Sequence, residues 1–370
     1  MLLGLIFLLH LIYVLFIGIN YYYLRKVKSP QAKGRAETFV SVVIPARNEA
    51  ERLPDLLNSL LVQTYPKYSF EVIIIDDNST DNSLAILYNF RENHQELNIQ
   101  ILTSQPKYEG AYKKQALTQA IQQATGEIIL QTDADVILPP HWIERMTHAF
   151  DDETVFVTGA VRYVTKNVFT EMQALELAGL VGLSASGFSM NRPFLCNGAN
   201  MAFRKSTFEA IGGYKGINHI ASGDDLLLLQ KMQLIYPNRS AFIWSAEVIV
   251  DTYPCENIRG WWVQRRRWVS KSLAYINFSN ILTHFIAYLY HVGLVAVFFI
   301  SEDGVITLII WLTKIGMDAI FLNLVSQFLG RKKWLRWLLV AECLYPFYVM
   351  LIGLSAIFLK KYEWKGRIQR

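Results

Sequence analysis

From Leu2 to Leu24 the chain carries no Asp, Glu, Lys or Arg and is apolar almost throughout. A run of that length meets the roughly 20 residues that an α-helix needs to cross a bilayer. It has no basic segment ahead of it and no small-residue cleavage site, so it reads as a retained span rather than a removable leader. Tyr21, Tyr22 and Tyr23, then Arg25, Lys26 and Lys28, form an aromatic belt and a basic anchor on the cytosolic side. Whatever follows must therefore fold against a membrane.

Three further apolar stretches, about 280–300, 304–329 and 337–359, close the chain, so the hydrophobic content of 52% is concentrated at its two ends. His284, His291, Lys314 and Asp318 interrupt these stretches and are expected to face protein or a cavity rather than lipid. Four full spans would leave the basic tail 360–370 outside, against the positive-inside trend. One C-terminal segment is thus expected to be re-entrant or interfacial, giving one N-terminal and two to three C-terminal membrane helices. Net charge is +5, and the basic clusters at 25–28, 265–271, 331–336 and 360–370 all adjoin apolar runs. That placement points to the membrane surface as a partner and not to nucleic acid. Cys196, Cys255 and Cys343 have no paired or metal-site spacing, which suits a reducing cytosol. The expected location is a multi-pass membrane protein, as in a bacterial inner membrane, with its middle domain in the cytoplasm.

Between the ends the pattern changes. The spacing predicts strands at 39–44, 71–75, 99–102 and 127–132, alternating with helices at 49–63, 79–92 and 111–124. Such alternation predicts an α/β fold with a mostly parallel, Rossmann-like sheet covered on both faces. The expected organisation is a membrane helix (1–24), a linker (25–38), the α/β domain (39–256), an amphipathic interfacial helix (257–278), membrane helices (279–359) and a basic tail (360–370). Ligands of such sheets bind beyond the carboxyl ends of the strands, where Arg47, Asn48 and Glu49, then Asp76 and Asp77, then Asp133 and Asp135 are expected.

Four constellations bear on chemistry. In VIIIDDNSTDNS an apolar strand ends in Asp76-Asp77, whose carboxylates can accept from a nucleobase N–H or a ribose hydroxyl; alone, this is also a cap-rich loop. No G-x-G-x-x-G follows any strand, which argues against a dinucleotide site. In IILQTDADV, Asp133 and Asp135 sit two apart at a strand end and project the same way in extended geometry. Such oxygen ligands suit Mg²⁺ or Mn²⁺ carrying a diphosphate, although one D-x-D can also be a solvated turn. Ser222-Gly223-Asp224-Asp225 opens a helix, where a carboxylate stays ionised and can act as general base or simply as a cap. In Gln264-Arg265-Arg266-Arg267-Trp268, helical spacing puts Gln264, Arg267 and Trp268 on one face. With Trp261 and Trp262 the same segment is also a plain interfacial anchor.

In this order SVVIPARNE, IIIDDNSTD, QTDADV, NGANMAFRK, SGDDLLLL and QRRRW resemble the inverting family 2 glycosyltransferases of GT-A fold, over roughly residues 39–270. The resemblance implies a uridine-diphosphate sugar donor held by Pro45, Ala46, Arg47, Glu49, Asp76, Asp77, Lys113, Asp133 and Ala134, with Gln264, Arg267 and Trp268 closing over it. It implies a metal on Asp133 and Asp135, and an acceptor or sugar side formed by Gly198, Asn200 and Trp268. Asp225 would be the base, although Asp224 replaces the commoner Glu and leaves the choice between the two aspartates open. The closing Trp364-Lys365-Gly366-Arg367 is similar to the tail of ceramide-glucosylating and carotenoid-glycosylating enzymes, which implies a lipid acceptor. The apolar stretch Leu177–Phe188 is expected either to line an acyl path or to be an ordinary core helix. Alternatives are a processive polysaccharide synthase, a polyprenyl-phosphate sugar transferase, and, from another class, a transporter or receptor with a nucleotide-sensing domain.

Overall fold

A computed structural model describes residues 2–30, 38–270 and 278–358, with short pieces at 362–364 and 367–369. The predicted linker and the second half of the predicted interfacial segment lie partly outside the described residues. Helix α1 (Leu2–Leu24) is followed by the expected alternation of β1 (Val40–Ala46), α2 (Leu53–Leu61), β2 (Phe70–Asp76), α3 (Ser83–Asn93), β3 (Ile99–Thr103), α4 (Tyr112–Gln123) and β4 (Ile128–Gln131). These strands form the parallel order β3-β2-β1-β4. Every residue of β2 and β4 is buried, as expected of strands covered on both faces.

The remaining sheet is not parallel throughout. After β5 (Val136–Ile137) and α5 (Trp142–His148) come β6 (Phe156–Gly159), β7 (Val161–Tyr163) and the long α6 (Val168–Ser189). Next are β8 (Met201–Arg204), α7 (Lys205–Ala210), α8 (Leu226–Ile235), β9 (Ser240–Ile243) and β10 (Val250–Thr252). Strand β8 enters antiparallel to β4, and the seven-stranded sheet continues through β6 to β9. A smaller sheet, β5-β10-β7, stands beside it. The fold is mixed α/β with a mostly parallel central sheet.

Helix α9 (Ile258–Ser270) leads towards α10 (Phe278–Ile300), α11 (Gly304–Phe328) and α12 (Leu338–Phe358), and the chain closes with β11 (Tyr362–Trp364) and β12 (Arg367–Gln369). Among the described residues, four helical segments, 2–24, 280–300, 304–328 and 332–355, are long and apolar enough to cross a membrane. Side chains such as Leu11, Leu308, Leu312 and Leu339 remain exposed on their outer faces. Where polar groups interrupt them, the groups turn inward as expected: Lys314 is buried against Asp318 at 2.8 Å and against Glu342, and Tyr13 donates to Asp318 at 2.5 Å.

The α/β domain is joined to these helices through α6. Asn167 starts it with a reciprocal capping box to Thr170, and most of its faces are buried. Ser186 donates to Asn20 of α1 at 2.6 Å. A Cβ on Gly182 would lie 2.6 Å from Val325 and 2.8 Å from Phe321 of α11, so only glycine permits this approach. At the start of α6, Glu171 accepts from Arg336 and Trp337 at 2.7 Å each, and Arg162 donates to the Leu329 carbonyl. The turn between α11 and α12 therefore rests on the α/β domain, and β11 packs beside α9.

Candidate active site at the membrane end of the sheet

The carboxyl ends of β1, β2 and β4 lie side by side because β1 pairs in parallel register with both neighbours. Three loops therefore converge. Those after β1 and β2 are stitched together: Arg47 is buried and donates to the carbonyls of Asp77 and Asn78 at 2.6 Å, while Asn48 accepts from the Thr80 N–H at 2.7 Å. Asn48 and Asn78 both hold positive φ, 51° and 57°, which asparagine tolerates better than most residues. Asp76 accepts the Ser79 N–H on one oxygen; its other oxygen is buried with no hydrogen-bond partner among the described residues. Buried acceptors are rarely left so.

After β4, Asp133 meets Lys113 of α4 at 2.7 Å, and Lys113 also meets Asp224 at 3.0 Å. Burial by itself would lower the Lys113 ammonium; the two carboxylates outweigh it and hold its pKa far above the ordinary lysine value. Asp224 further accepts from Gln131 at 3.2 Å. Asp225 caps α8: one oxygen accepts the Leu226 N–H at 2.7 Å and the other the Gly198 N–H at 3.3 Å. Gly223 supplies the positive φ, 78°, that turns the chain into this cap. A Cβ on Gly198 would come within 3.2 Å of Asp224, so the small residue keeps the acidic pair accessible. Asp225 is the less buried of the two.

These groups open into one cavity of about 680 Å³. Its polar end holds Lys113, Asp133, Asp135, Asp224, Asp225 and Gly198. Gln264, Arg265, Arg267, Trp268 and Val269 of α9 also line it. Its far end is walled by Leu177, Leu180 and Val181 of α6, by Ile281, His284, Tyr288 and His291 of α10, and by Tyr345, Tyr348 and Ile352 of α12. Part of the Leu177–Phe188 stretch thus faces the cavity, and the rest is core.

Not every expected residue reaches this space. Pro45, Ala46, Arg47, Glu49, Asp76, Asp77 and Ala134 do not line it; they surround the neighbouring strand ends, and Ala46 and Ala134 are buried. Asn200 is a correction. It is fully buried, donates to the carbonyls of Ala160 and Val248 at 2.8 and 2.7 Å and accepts from Trp142 at 2.9 Å, so its amide braces β8 and does not face the cavity. Conversely, motif reading passes over Glu176 and Arg265, which pair at 2.6 Å inside the lining. Burial pushes the adjacent Tyr163 phenol up to about 12, with the Arg265 charge opposing.

Comparison with known proteins agrees with this architecture. A family model described as glycosyl transferase family 2 matches residues 41–212, and one described as glycosyl transferase family group 2 matches residues 128–359, more than half of the chain. Glycosyltransferase AglE of Haloferax volcanii is 30% identical over 198 residues, covering 51% of this chain and 59% of AglE. Poly-β-1,6-N-acetyl-D-glucosamine synthase of Staphylococcus aureus is 28% identical over 266 residues, 68% of this chain and 60% of the synthase. The chain thus spans about three-fifths of the length of these two relatives. Among solved structures, the mannosyltransferase PcManGT of Pyrobaculum calidifontis, in complex with GDP-Man and Mn²⁺, superposes with a TM-score of 0.61 at 18% identity over 96% of this chain and 97% of its own. That likeness speaks for the fold. With the GT-A architecture and a family model over residues 128–359, the chain belongs to the family 2 glycosyltransferases.

Proposed function

We propose that the protein transfers a sugar from a nucleotide-sugar, such as a UDP-hexose, to the hydroxyl of a lipid presented from the bilayer, with inversion at the sugar carbon. The observation that carries this reading is the continuity of the cavity from Asp133, Asp224 and Asp225 to the apolar walls of α10 and α12. A soluble acceptor has no need of an apolar chamber lined by membrane-length helices. The α/β domain then lies on the cytosolic side, and the tail returns to it, since β11 packs beside α9.

In this reading the nucleoside sits at the β1 and β2 strand ends, where the buried Asp76 oxygen awaits a donor. Asp133 and Asp135, both lining the cavity and Asp133 paired with Lys113 at 2.7 Å, would give a hard cation two of its ligands. The remaining ligands would come from diphosphate and water, as Mg²⁺ and Mn²⁺ favour. Such an ion, when bound, supplies positive charge to the leaving diphosphate. Lys113 and Arg267 add charge from the protein, worth most in a site shielded from water. Asp225, oriented by two backbone N–H groups at a helix start, takes the proton from the acceptor hydroxyl as that oxygen attacks the anomeric carbon. Asp224, paired with Lys113, is the weaker candidate for that proton.

Membranes containing the protein, given a panel of labelled nucleotide-sugars, test this. Label is expected in an organic-extractable glycolipid. The S. aureus relative favours a second reading, a polymer synthase; label confined to a high-mass water-soluble product supports that instead and overturns lipid transfer.

A further inference from the structure

Within the QRRRW segment, Arg265 is the buried arginine. It is 1% exposed, and its guanidinium donates to Glu176 through Nε at 2.8 Å and Nη2 at 2.6 Å. The same guanidinium contacts the Gln264 side-chain oxygen and lies 4.3 Å from the centroid of the Trp268 ring. It therefore touches two of the three motif side chains that line the cavity. Both bonds to Glu176 end on Oε2, which leaves Oε1 to accept the Tyr348 hydroxyl of α12 at 2.9 Å. Trp261, one turn earlier on α9, packs on Tyr348 with ring centroids 4.7 Å apart. One carboxylate on α6 thus joins the α/β domain, the motif helix and the last apolar helix.

We infer that Glu176 is a positioning residue: through Arg265 it sets where Gln264 and Trp268 stand over the cavity, and through Tyr348 it ties that setting to the wall that receives the acceptor. This rests on the lipid-transfer reading. An isolated buried charge is costly, whereas a hydrogen-bonded pair is tolerated. Removing the carboxylate leaves the Arg265 charge without its counter-ion in the lining, so the guanidinium must move and the motif side chains move with it. A displacement of about 1 Å in a reacting assembly costs about 10²-fold in rate. Displaced motif side chains also admit water, which can take the sugar in place of the lipid hydroxyl: the anomeric C–O bond to the diphosphate breaks with its electron pair leaving on the released nucleoside diphosphate, and the water oxygen bonds to the anomeric carbon while its proton passes to Asp225.

The measurement is the ratio of lipid transfer to donor hydrolysis, with kcat and the donor KM, in nanodiscs containing the full chain. Glu176→Gln is expected to cut transfer by about 10²-fold with little change in donor KM, and to lower the transfer-to-hydrolysis ratio. A mere loss of folded protein would reduce both reactions alike. Arg265→Gln, which removes the other partner of the pair, is expected to lower the ratio to a similar degree, and the double variant Glu176→Gln/Arg265→Gln no further than either single change. An unchanged ratio in Glu176→Gln, or a double variant lowered well below both single variants, overturns the inference. Failure of the parent chain to label any lipid overturns the lipid-transfer reading instead, so the two failures are distinguishable.

Discussion

The two halves of the cavity are built differently. The polar end stands on the buried strand β4 and the start of α8, with its charged groups tied to one another: Lys113 to Asp133 and Asp224, and Asp225 to the Gly198 and Leu226 N–H groups. The membrane end stands on helices joined by a few polar contacts: Ser186 to Asn20, Glu171 to Arg336, Glu176 to Arg265 and Tyr348. The first half suits an invariant task, holding a charged nucleotide. The second suits a task that varies, receiving a particular acceptor. Substitutions in the first should abolish chemistry or donor binding, and those in the second should change stability or the fate of the sugar.

The largest effect is expected at the base. Asp225→Asn should leave nucleotide binding near normal and cut transfer by roughly 10²–10⁴-fold, read from single-turnover rates and nucleotide titration. A larger loss for Asp224→Asn, with Asp225→Asn nearly active, would move the role to the neighbour. Next are Asp133 and Asp135, the proposed metal ligands. Asp133→Ala or Asp135→Ala should abolish the metal-dependent part of donor binding by calorimetry, and chelator should stop turnover reversibly. If Asp135→Ala binds donor and metal like the parent, the assignment fails.

Smaller effects sharpen the other half. Gly182→Leu should force α6 and α11 apart and lower stability by about 1–3 kcal/mol, the usual cost of overpacking, measured as a shift in thermal unfolding in detergent. No shift would mean the two helices do not pack as closely as described. The smallest concerns Glu171. Burial would raise its carboxyl, but the hydrogen bonds from Arg336 and Trp337 and the Arg336 charge outweigh that and hold it below the ordinary value. A carboxyl lowered on folding stabilises above its unfolded pKa, about 4.3, and loses that contribution as pH falls through the folded value. With Arg336 largely exposed, the advantage of parent over Glu171→Gln at neutral pH should be about 1 kcal/mol or less and should vanish in acid. An advantage that grew on acidification would contradict the pairing.

The difference between the halves also explains what the sequence made legible. Strands β1 to β4 are apolar-rich runs broken only by single polar residues such as Ser41, Glu71 and Gln100, and they alternate with helix-length segments, so that alternation was readable to within a few residues. Strands β5 to β10 span two to four residues each, too short for periodicity to register. The DDNST, DAD and GDD loops stood out by their order and by the apolar runs beside them, since each alone is also an ordinary cap or turn. Asn200 misled for the converse reason: a polar residue beside Gly198 looks like a ligand until its amide is found bracing three buried partners. Glu176 and Arg265 are 89 positions apart, and no local pattern relates them. Long-range pairing of this kind is what the fold adds.

That the acceptor comes from the bilayer is tested most directly by photo-crosslinking. The full chain in nanodiscs doped with a photoactivatable hydroxyl-bearing lipid would be irradiated with and without nucleoside diphosphate, and the adducts mapped by mass spectrometry. Adducts are expected on the outer helix faces in any case. The account predicts a second set inside the cavity, on residues 177–184, 281–291 and 345–352, competed by unlabelled acceptor lipid. Adducts confined to outer faces such as Leu308, Leu312, Leu339 and Leu344, with none in the cavity, would contradict it.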